Sequence, residues 1–396
     1  MPGWFPFTPD AAHEGADPRL CGGRLTIDLG ALADNYRLLA ARAAPAVVAG
    51  VLKADAYGLG AVRVARTLWA TGCRTFFVAL PEEGIALREA LPEATIFVLN
   101  GVFGPEAAPA YGAHRLVPVL GSPADLSTWE AFGWDGEVPR PCAIHVDTGM
   151  NRLGLSPAEV TAFAQDNRLT NALTPVLLMS HLACADAPGH PLNRTQLESF
   201  QAVRAALEGI ESSLANSAGT FLGRDFLFDM VRPGIALYGG APNGDMPNLM
   251  KPVVTAEARV VQVRRAATGE AVSYGASGIL ARDTLVAIVS VGYADGYPRS
   301  GSGAGVPLRG AIESGAAGFV RGHRVSVLGR ITMDLTMFDV TDVGPLPVAA
   351  GDWIELFGAN VAIDEVAAAA GTISYELLTS LGRRYHRRYT GGEPEA

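Results

Sequence analysis

From Ala46 to Gly239 the chain repeats one pattern, a short apolar run followed by a stretch with helical spacing. Strand-like runs fall near residues 47–53, 75–80, 95–99, 116–120, 142–147, 175–180, 212–216 and 230–235. Helical stretches such as Ala61–Ala70, Glu82–Leu91, Pro157–Gln165 and Gln196–Leu207 lie between most of them. Parallel strands need a crossover between them, usually a helix, so the alternation predicts an α/β fold with helices covering a parallel sheet. Eight strands over about 200 residues predict a (β/α)8 TIM-type barrel. A doubly wound open sheet fits the same alternation. In a barrel, chemistry belongs where the strands end and the following loops begin.

Residues 1–23, rich in Pro, Gly, Ala and Asp, read as a loosely held extension. Arg24–Asp28 alternates like a strand, and Asp28 is placed to cap a helix running to about Arg42 with Leu29, Leu32, Tyr36 and Leu39 on one face. The barrel domain is expected over residues 24–251, with the 24–28 strand able to join the C-terminal domain instead. Around Lys251-Pro252 the texture changes. Strand-like segments now follow one another without helices between them: Thr255–Arg264, Leu285–Val291, Arg324–Leu328, Thr336–Val340 and Trp353–Leu356. This predicts a mostly β second domain over 252–388, ending in two helical pieces, Ile363–Ala370 and Tyr375–Arg384, before a tail of 389–396. Ser300–Gly305 reads as a flexible loop, and the basic tract Arg383–Arg388 as the solvated end of the last helix.

Composition excludes several classes of function. With 49% hydrophobic and 18% charged residues the chain is globular. A net charge of −9 and the lack of a clustered basic footprint argue against a nucleic-acid partner. The four cysteines are scattered without a C-x-x-C pair, which fits a reducing cytoplasm. Met1–Asp10 does not read as a signal peptide, and no apolar stretch has the length of a membrane span. His181 has no second ligand at zinc spacing, so no metal is expected.

The chemistry-bearing residues sit at the predicted strand ends. The first apolar run ends on Lys53, followed by Ala54-Asp55-Ala56-Tyr57-Gly58-Leu59-Gly60. A lysine there either points to water or sits in a low-dielectric pocket, where its pKa falls and its amine becomes a nucleophile able to form a Schiff base. After the fifth run comes Asp147-Thr148-Gly149-Met150-Asn151-Arg152, whose arginine can offer a planar fork to a carboxylate. After the sixth comes His181, either a core residue or one that stacks on a flat heteroaromatic ring. Asn216-Ser217-Ala218-Gly219 and Arg232-Pro233-Gly234-Ile235 follow the seventh and eighth runs, where barrels habitually bind phosphate.

These segments resemble, in order, the motifs of the alanine racemases, which interconvert L- and D-alanine with pyridoxal phosphate. Val272-Ser273-Tyr274-Gly275-Ala276, Val291–Gly296, Gly329–Asp334 and Ile373–Glu376 continue the series, and the resemblance spans residues 24 to about 388. It implies that Lys53 carries pyridoxal phosphate and is the base on the D-alanine face, with Tyr274 the base on the opposite face. Arg152 and the Met333 backbone would position the substrate. Tyr57, Ser217, Gly234, Ile235 and Tyr375 would hold the phosphate, Asn216 would belong to the cofactor-binding set, His181 would pack against the ring, and Arg232 would face the ring nitrogen. The resemblance also implies a head-to-tail homodimer in which the partner's second domain completes each site. Removing a proton from one face and returning it to the other requires two such groups.

One departure stands out. Many members of the family have a lysine, often carbamylated, two residues before the aspartate of the Asp-Thr-Gly-Met turn. Here the residue is His145, so Arg152 must be oriented by another acceptor, a bound anion or a neutral imidazole. The alternatives to an alanine racemase are a racemase of broader specificity, a decarboxylase of the same architecture, and a non-enzymatic pyridoxal-phosphate carrier, against which Tyr274 and the second domain argue.

Overall fold

The structure is a computed structural model that describes residues 17–132, 140–166, 172–207, 209–244, 246–303 and 315–392. Most of the N-terminal extension, the end of the tail, and the Ser300–Gly305 loop beyond Gly303 lie outside the described residues. The chain divides into two compact units, one of Leu32–Met250 and one joining the residues up to Ala31 to those from Lys251 onward.

In the Leu32–Met250 unit a parallel ladder runs from Gly50–Val51 through Thr75–Val78, Thr95–Val98, Val117–Leu120, Arg140–His145 and Leu173–Met179 to Glu211–Ser213. The register places Val51 beside Phe77, Phe77 beside Phe97, and Ile144 beside Leu178. Phe77 and Phe97 stack at 4.8 Å between ring centroids. The last strand, Met230–Val231, pairs in parallel with Val47–Val48. It meets the seventh strand's edge where Asp229 donates to the Ser212 carbonyl (3.0 Å) and Arg232 to that of Ala215 (2.9 Å). The ring thus closes as a (β/α)8 barrel, and the open-sheet alternative falls. Continuous apolar strands such as Thr75–Val78 and Val117–Leu120 are buried along their whole length, as expected of strands covered on both faces. Helices Ala61–Ala70, Pro81–Ala90, Pro157–Gln165 and Pro191–Arg204 lie close to where their spacing predicts them.

The other unit is built on a mixed eight-stranded sheet. Its longest strand, Val254–Ala266, pairs with Gly23–Asp28, Trp353–Phe357 and Thr284–Val289. Leu25 and Ile27 point into the core of this sheet, so the N-terminal strand belongs with the C-terminal residues. Asp28 Oδ1 accepts from the Ala31 amide (2.9 Å) at the start of the helix Leu29–Ala43. That helix buries Leu29, Leu32, Tyr36 and Leu39.

The end of the chain differs from expectation. The last helix covers only Ser374–Thr379, and Tyr385–Thr390 is a strand lying parallel to Gly23–Asp28. Helix continuation through Arg384 loses to tertiary bonding. The Gly382 amide donates to the Asp295 carbonyl (3.0 Å), and Arg384 grips the buried Asp295 carboxylate with two nitrogens at 2.6 and 2.7 Å. Tyr385 is then 1% exposed. The basic tract is therefore a half-buried strand rather than a solvated helix end.

Removing Arg384 leaves a buried carboxylate without its cation, which is more costly than losing a surface pair. Because Arg384 itself is half exposed, the expected loss for Arg384→Ala is about 2 kcal/mol, below the full buried-pair range. Urea unfolding of the variant beside the parent measures it.

Candidate active site

Lys53 does not simply end its strand. The four residues after it, Ala54, Asp55, Ala56 and Tyr57, have φ of 54°, 55°, 53° and 59° and form a turn of left-handed helix. For L-residues this costs roughly 1–2 kcal/mol each, so the surroundings must hold it. Several contacts do. The Ala54 amide donates to Glu83 Oε1 (2.6 Å), Asp55 Oδ1 accepts from the Ala61 amide (2.7 Å), and the Ala56 amide donates to the Leu52 carbonyl (2.9 Å). Tyr57 is buried, with its ring 4.7 Å from that of Tyr238, whose hydroxyl donates to the Val51 carbonyl. Lys53 sits half-buried at the head of this turn. Burial first, and Arg152 second, pull its amine below the ordinary lysine range, while Glu83 opposes them.

The loop after Arg140–His145 is an excursion that returns to the strand. Asp147 donates its amide to the Leu155 carbonyl, and its Oδ1 accepts from Gly149 (2.8 Å) and Met150 (2.9 Å). Gly154 has φ +121°, and a Cβ there would stand 2.5 Å from the Asp147 nitrogen, so the return requires glycine. The excursion leaves Arg152 exposed at its tip. At its base His145 is buried. Desolvation, then Arg232 and Arg152, push its imidazole down to about 4, with Asp147 pulling the other way. His145 is therefore neutral at physiological pH.

Arg232 is 4% exposed, and its acceptors are neutral: Ser213 Oγ (2.5 Å), the Ser180 carbonyl (2.5 Å) and the His181 Nδ1 (3.5 Å). Burial, Arg232 and Arg152 together hold His181 well below the usual imidazole range. Ser217 is buried and accepts from the amides of Gly234 (2.9 Å) and Ala236 (3.3 Å), joining the seventh and eighth loops. A Cβ on Gly234 would stand 2.2 Å from the Tyr57 hydroxyl, so the phenol lies directly against bare backbone. Asn216 Oδ1 accepts from the Gly219 amide (2.8 Å), and its backbone pairs with that of Arg232 in an isolated parallel bridge. The Leu32–Met250 unit thus gathers Lys53, Tyr57, Arg152, His181, Asn216, Ser217, Arg232, Gly234 and Ile235 at its strand C-terminal ends.

Tyr274, Met333 and Tyr375 lie on the other unit. Tyr274 occupies the tip of a hairpin between Ala271–Val272 and Gly278–Ile279 and is 73% exposed. The hairpin stands on a small core of Val272, Leu280, Val286 and Met337. Ser273 is held at φ +70° with its hydroxyl donating to the Arg330 carbonyl (2.7 Å). The neighbouring loop carries Met333, 53% exposed, whose carbonyl accepts from the Ala294 amide (3.0 Å).

Two residues of the site escaped the sequence reading. Glu83 looks like an ordinary member of a helix's first turn, and only its position three residues after Leu80 hints at a cap. Gln196, fully buried on helix Pro191–Arg204, bonds to Thr148 Oγ1, the His181 carbonyl and the Ala183 amide. It ties the arginine loop to the histidine loop, and nothing in its local sequence announces that.

Known proteins resemble this chain along most of its length. The family model described as "Alanine racemase, N-terminal domain" matches residues 27–242, and "Alanine racemase, C-terminal domain" matches residues 253–389. A Rhizobium meliloti protein named alanine racemase is 56% identical over 93% of this chain and 97% of its own length. A Mesorhizobium japonicum protein named "Alanine racemase, catabolic" is 44% identical over 94% of each chain. Among solved structures, an alanine racemase from Bartonella henselae with covalently bound pyridoxal phosphate has a TM-score of 0.84 at 39% identity, covering 93% of this chain and 99% of its own. The biosynthetic alanine racemase from Pseudomonas aeruginosa has a TM-score of 0.86 at 37% identity, covering 94% and 100%.

The neutral His145 predicts a pH dependence. An unfolded imidazole titrates near 6.5 and the native one near 4, so between these values the unfolded state binds more protons and stability rises with pH. The contribution of His145 is full above the unfolded value and is lost as the pH falls through the window. It amounts to about 3 kcal/mol. His145→Asn should flatten this slope in urea unfolding measured above and within the window. His181 leaves a residual slope of the same sign.

Proposed function

We propose that this chain, which belongs to the alanine racemase family, interconverts L- and D-alanine with pyridoxal phosphate held on Lys53. The observation that carries the proposal is a lysine amine kept below its ordinary range, in the same unit as a buried arginine that has only neutral acceptors among the described residues. An anionic, nitrogen-containing ring system suits that surplus of positive charge. The bare backbone of Gly234 against Tyr57, beside the Ser217 hydroxyl, supports the phosphate end of the same group.

When bound, pyridoxal phosphate supplies the electron sink that makes an amino acid's α-proton removable. The chain's own residues do the rest. Lys53, with its neutral form favoured by burial, accepts or returns a proton at Nζ on the D-alanine face. Arg152, exposed on its loop, presents a two-pronged fork to the substrate carboxylate. Tyr57, Ser217, Gly234, Ile235 and Tyr375 are assigned to the phosphate, and Asn216 to cofactor binding. His181, kept neutral, would pack on the ring. Arg232, which burial brings down to about 9, stays charged at neutral pH and would face the ring nitrogen and keep it unprotonated. That would weaken the sink and limit side reactions such as transamination.

Tyr274 supplies the second base at its Oη, and the Met333 backbone helps to seat the substrate. We assign both to a second copy of the chain in a homodimer, in keeping with their exposure of 73% and 53% in the single chain. Alanine and a second copy are the partners, rather than nucleic acid, in keeping with the net charge of −9. The four free thiols support a cytoplasmic location.

Two variants test the assignment through α-proton exchange and circular dichroism on each enantiomer of alanine in deuterated water. Lys53→Ala should abolish exchange on both. Tyr274→Phe should lower racemisation by about a hundredfold or more while D-alanine still exchanges slowly. Mixing the two inactive variants should restore activity if each site draws on both chains. A wild type that shows the cofactor band but leaves alanine untouched sinks the reading, and larger amino acids would then be tried.

A further inference from the structure

Glu83 lies half-buried in the first turn of helix Pro81–Ala90, and its two carboxylate oxygens face different elements. Oε2 accepts from the amides of Ala79 (2.8 Å) and Leu80 (3.1 Å), the cap of its own helix. Oε1 accepts from the amide of Ala54 (2.6 Å), the residue directly after Lys53. The carboxylate therefore spans from one strand-end loop to the next and holds the first peptide of the left-handed turn.

Other groups face the lysine. Arg152 acts on it from the excursion after Arg140–His145, and His181 senses its charge from the segment after Leu173–Met179. Asp55 and Tyr57 lie on the lysine's own turn, where the Asp55 carboxylate bonds the Ala61 amide. Glu83 is the acid that acts on Lys53 from another element. We propose that Glu83 is a positioning residue for Lys53, bridging its own helix cap to the Ala54 amide and so setting both the direction and the charge state of the lysine nitrogen. This rests on the reading of Lys53 as the cofactor-bearing residue.

An ordinary helix cap elsewhere in the same barrel separates positioning from simple stability. Glu159 closes a similar cap, accepting from the Ser156 amide (2.7 Å) and hydroxyl (2.8 Å) on helix Pro157–Gln165, and among the described residues it has no hydrogen bond to the lysine turn. Glu83→Gln, Glu83→Asp and Glu159→Gln are compared with the parent as holoenzymes. The first readout is the pH titration of the visible cofactor band. The second is the fraction of Lys53 that carries cofactor at limiting pyridoxal phosphate, read by borohydride reduction and mass spectrometry.

Removing the acid disfavours the protonated nitrogen, so Glu83→Gln should move the band's midpoint to lower pH by about half a pH unit or more. Glu159→Gln should titrate with the parent. Glu83→Asp keeps the charge but its shorter arm cannot reach all three amides. Its midpoint should stay nearer the parent than that of Glu83→Gln, and Lys53 loading should fall by about threefold or more. A midpoint unmoved in Glu83→Gln, or moved equally in Glu159→Gln, overturns the proposal. Should Glu83→Gln fail to fold, Glu83→Asp decides, and loading equal to the parent's overturns it. If the parent itself carries no cofactor on Lys53, the functional reading fails and this proposal falls with it. That outcome is distinct from a loaded parent whose variants do not shift.

Discussion

Residues 47–52 bond to a neighbour on each side. Val47 and Ala49 donate their amides to the carbonyls of Asp229 and Val231, and Leu52 donates to that of Phe77. This double bonding closes the barrel. Closure removes the free edges of the sheet, and it also brings the first and last strand-end loops side by side. Tyr57, six residues past Val51, then comes to rest on Gly234, three past Val231. The same closure confines the chain after Lys53 so tightly that four L-residues accept positive φ. Strain of this kind persists where neighbours over-determine the backbone, and here the neighbours are Glu83, Tyr238 and the bare backbone at Gly234.

The electrostatics of the barrel's loop end follow from what it lacks. Arg232 is buried without a carboxylate among its acceptors in the described residues, and Lys53 feels Arg152 more than it feels Glu83. Burying such charge without compensation is expensive. Two imidazoles that elsewhere titrate near physiological pH are held neutral instead, which spares the site further repulsion. An anionic ligand relieves what remains. The fold therefore carries a standing preference for negative charge where the strands end, and stability is given up to keep it. His145 adds to this, because as a neutral group it can accept a hydrogen bond from an arginine without adding charge of its own.

In the unit that joins the chain's two ends, small residues let backbone approach backbone. A Cβ on Gly292 would lie 2.2 Å from the Thr332 carbonyl oxygen, and one on Gly329 would lie 2.4 Å from that of Val272. These close approaches set the loop of Met333 against the backbone at Gly292 and the segment after Leu328 against the foot of the Tyr274 hairpin, which stands on its small core. Positioning by packed backbone suits a group that must meet a proton at a defined distance.

Much of this was legible in the residues. The alternation of apolar runs and helical spacing carried the barrel, because each period reports which face of a local segment is buried. The helices Ala61–Ala70 and Pro157–Gln165 ended where their spacing placed them, and the chemistry-bearing residues stood in order after the runs. What only the tertiary structure decided has one physical cause: it depends on partners far away in the chain. The sign of φ after Lys53 is set by Glu83 and by closure against residues near 230, while the local sequence shows only an alanine-rich turn. The fate of Arg384 and Tyr385 is set by Asp295 and by the strand Gly23–Asp28, which outweigh the helical spacing that runs through them. Gln196 and Glu83 owe their roles to amides and carbonyls on other loops, and no periodicity within their own helices records such bonds. The sequence by itself determined which segments bury which faces and which chemical groups are present. Long-range hydrogen bonding decided where those groups point.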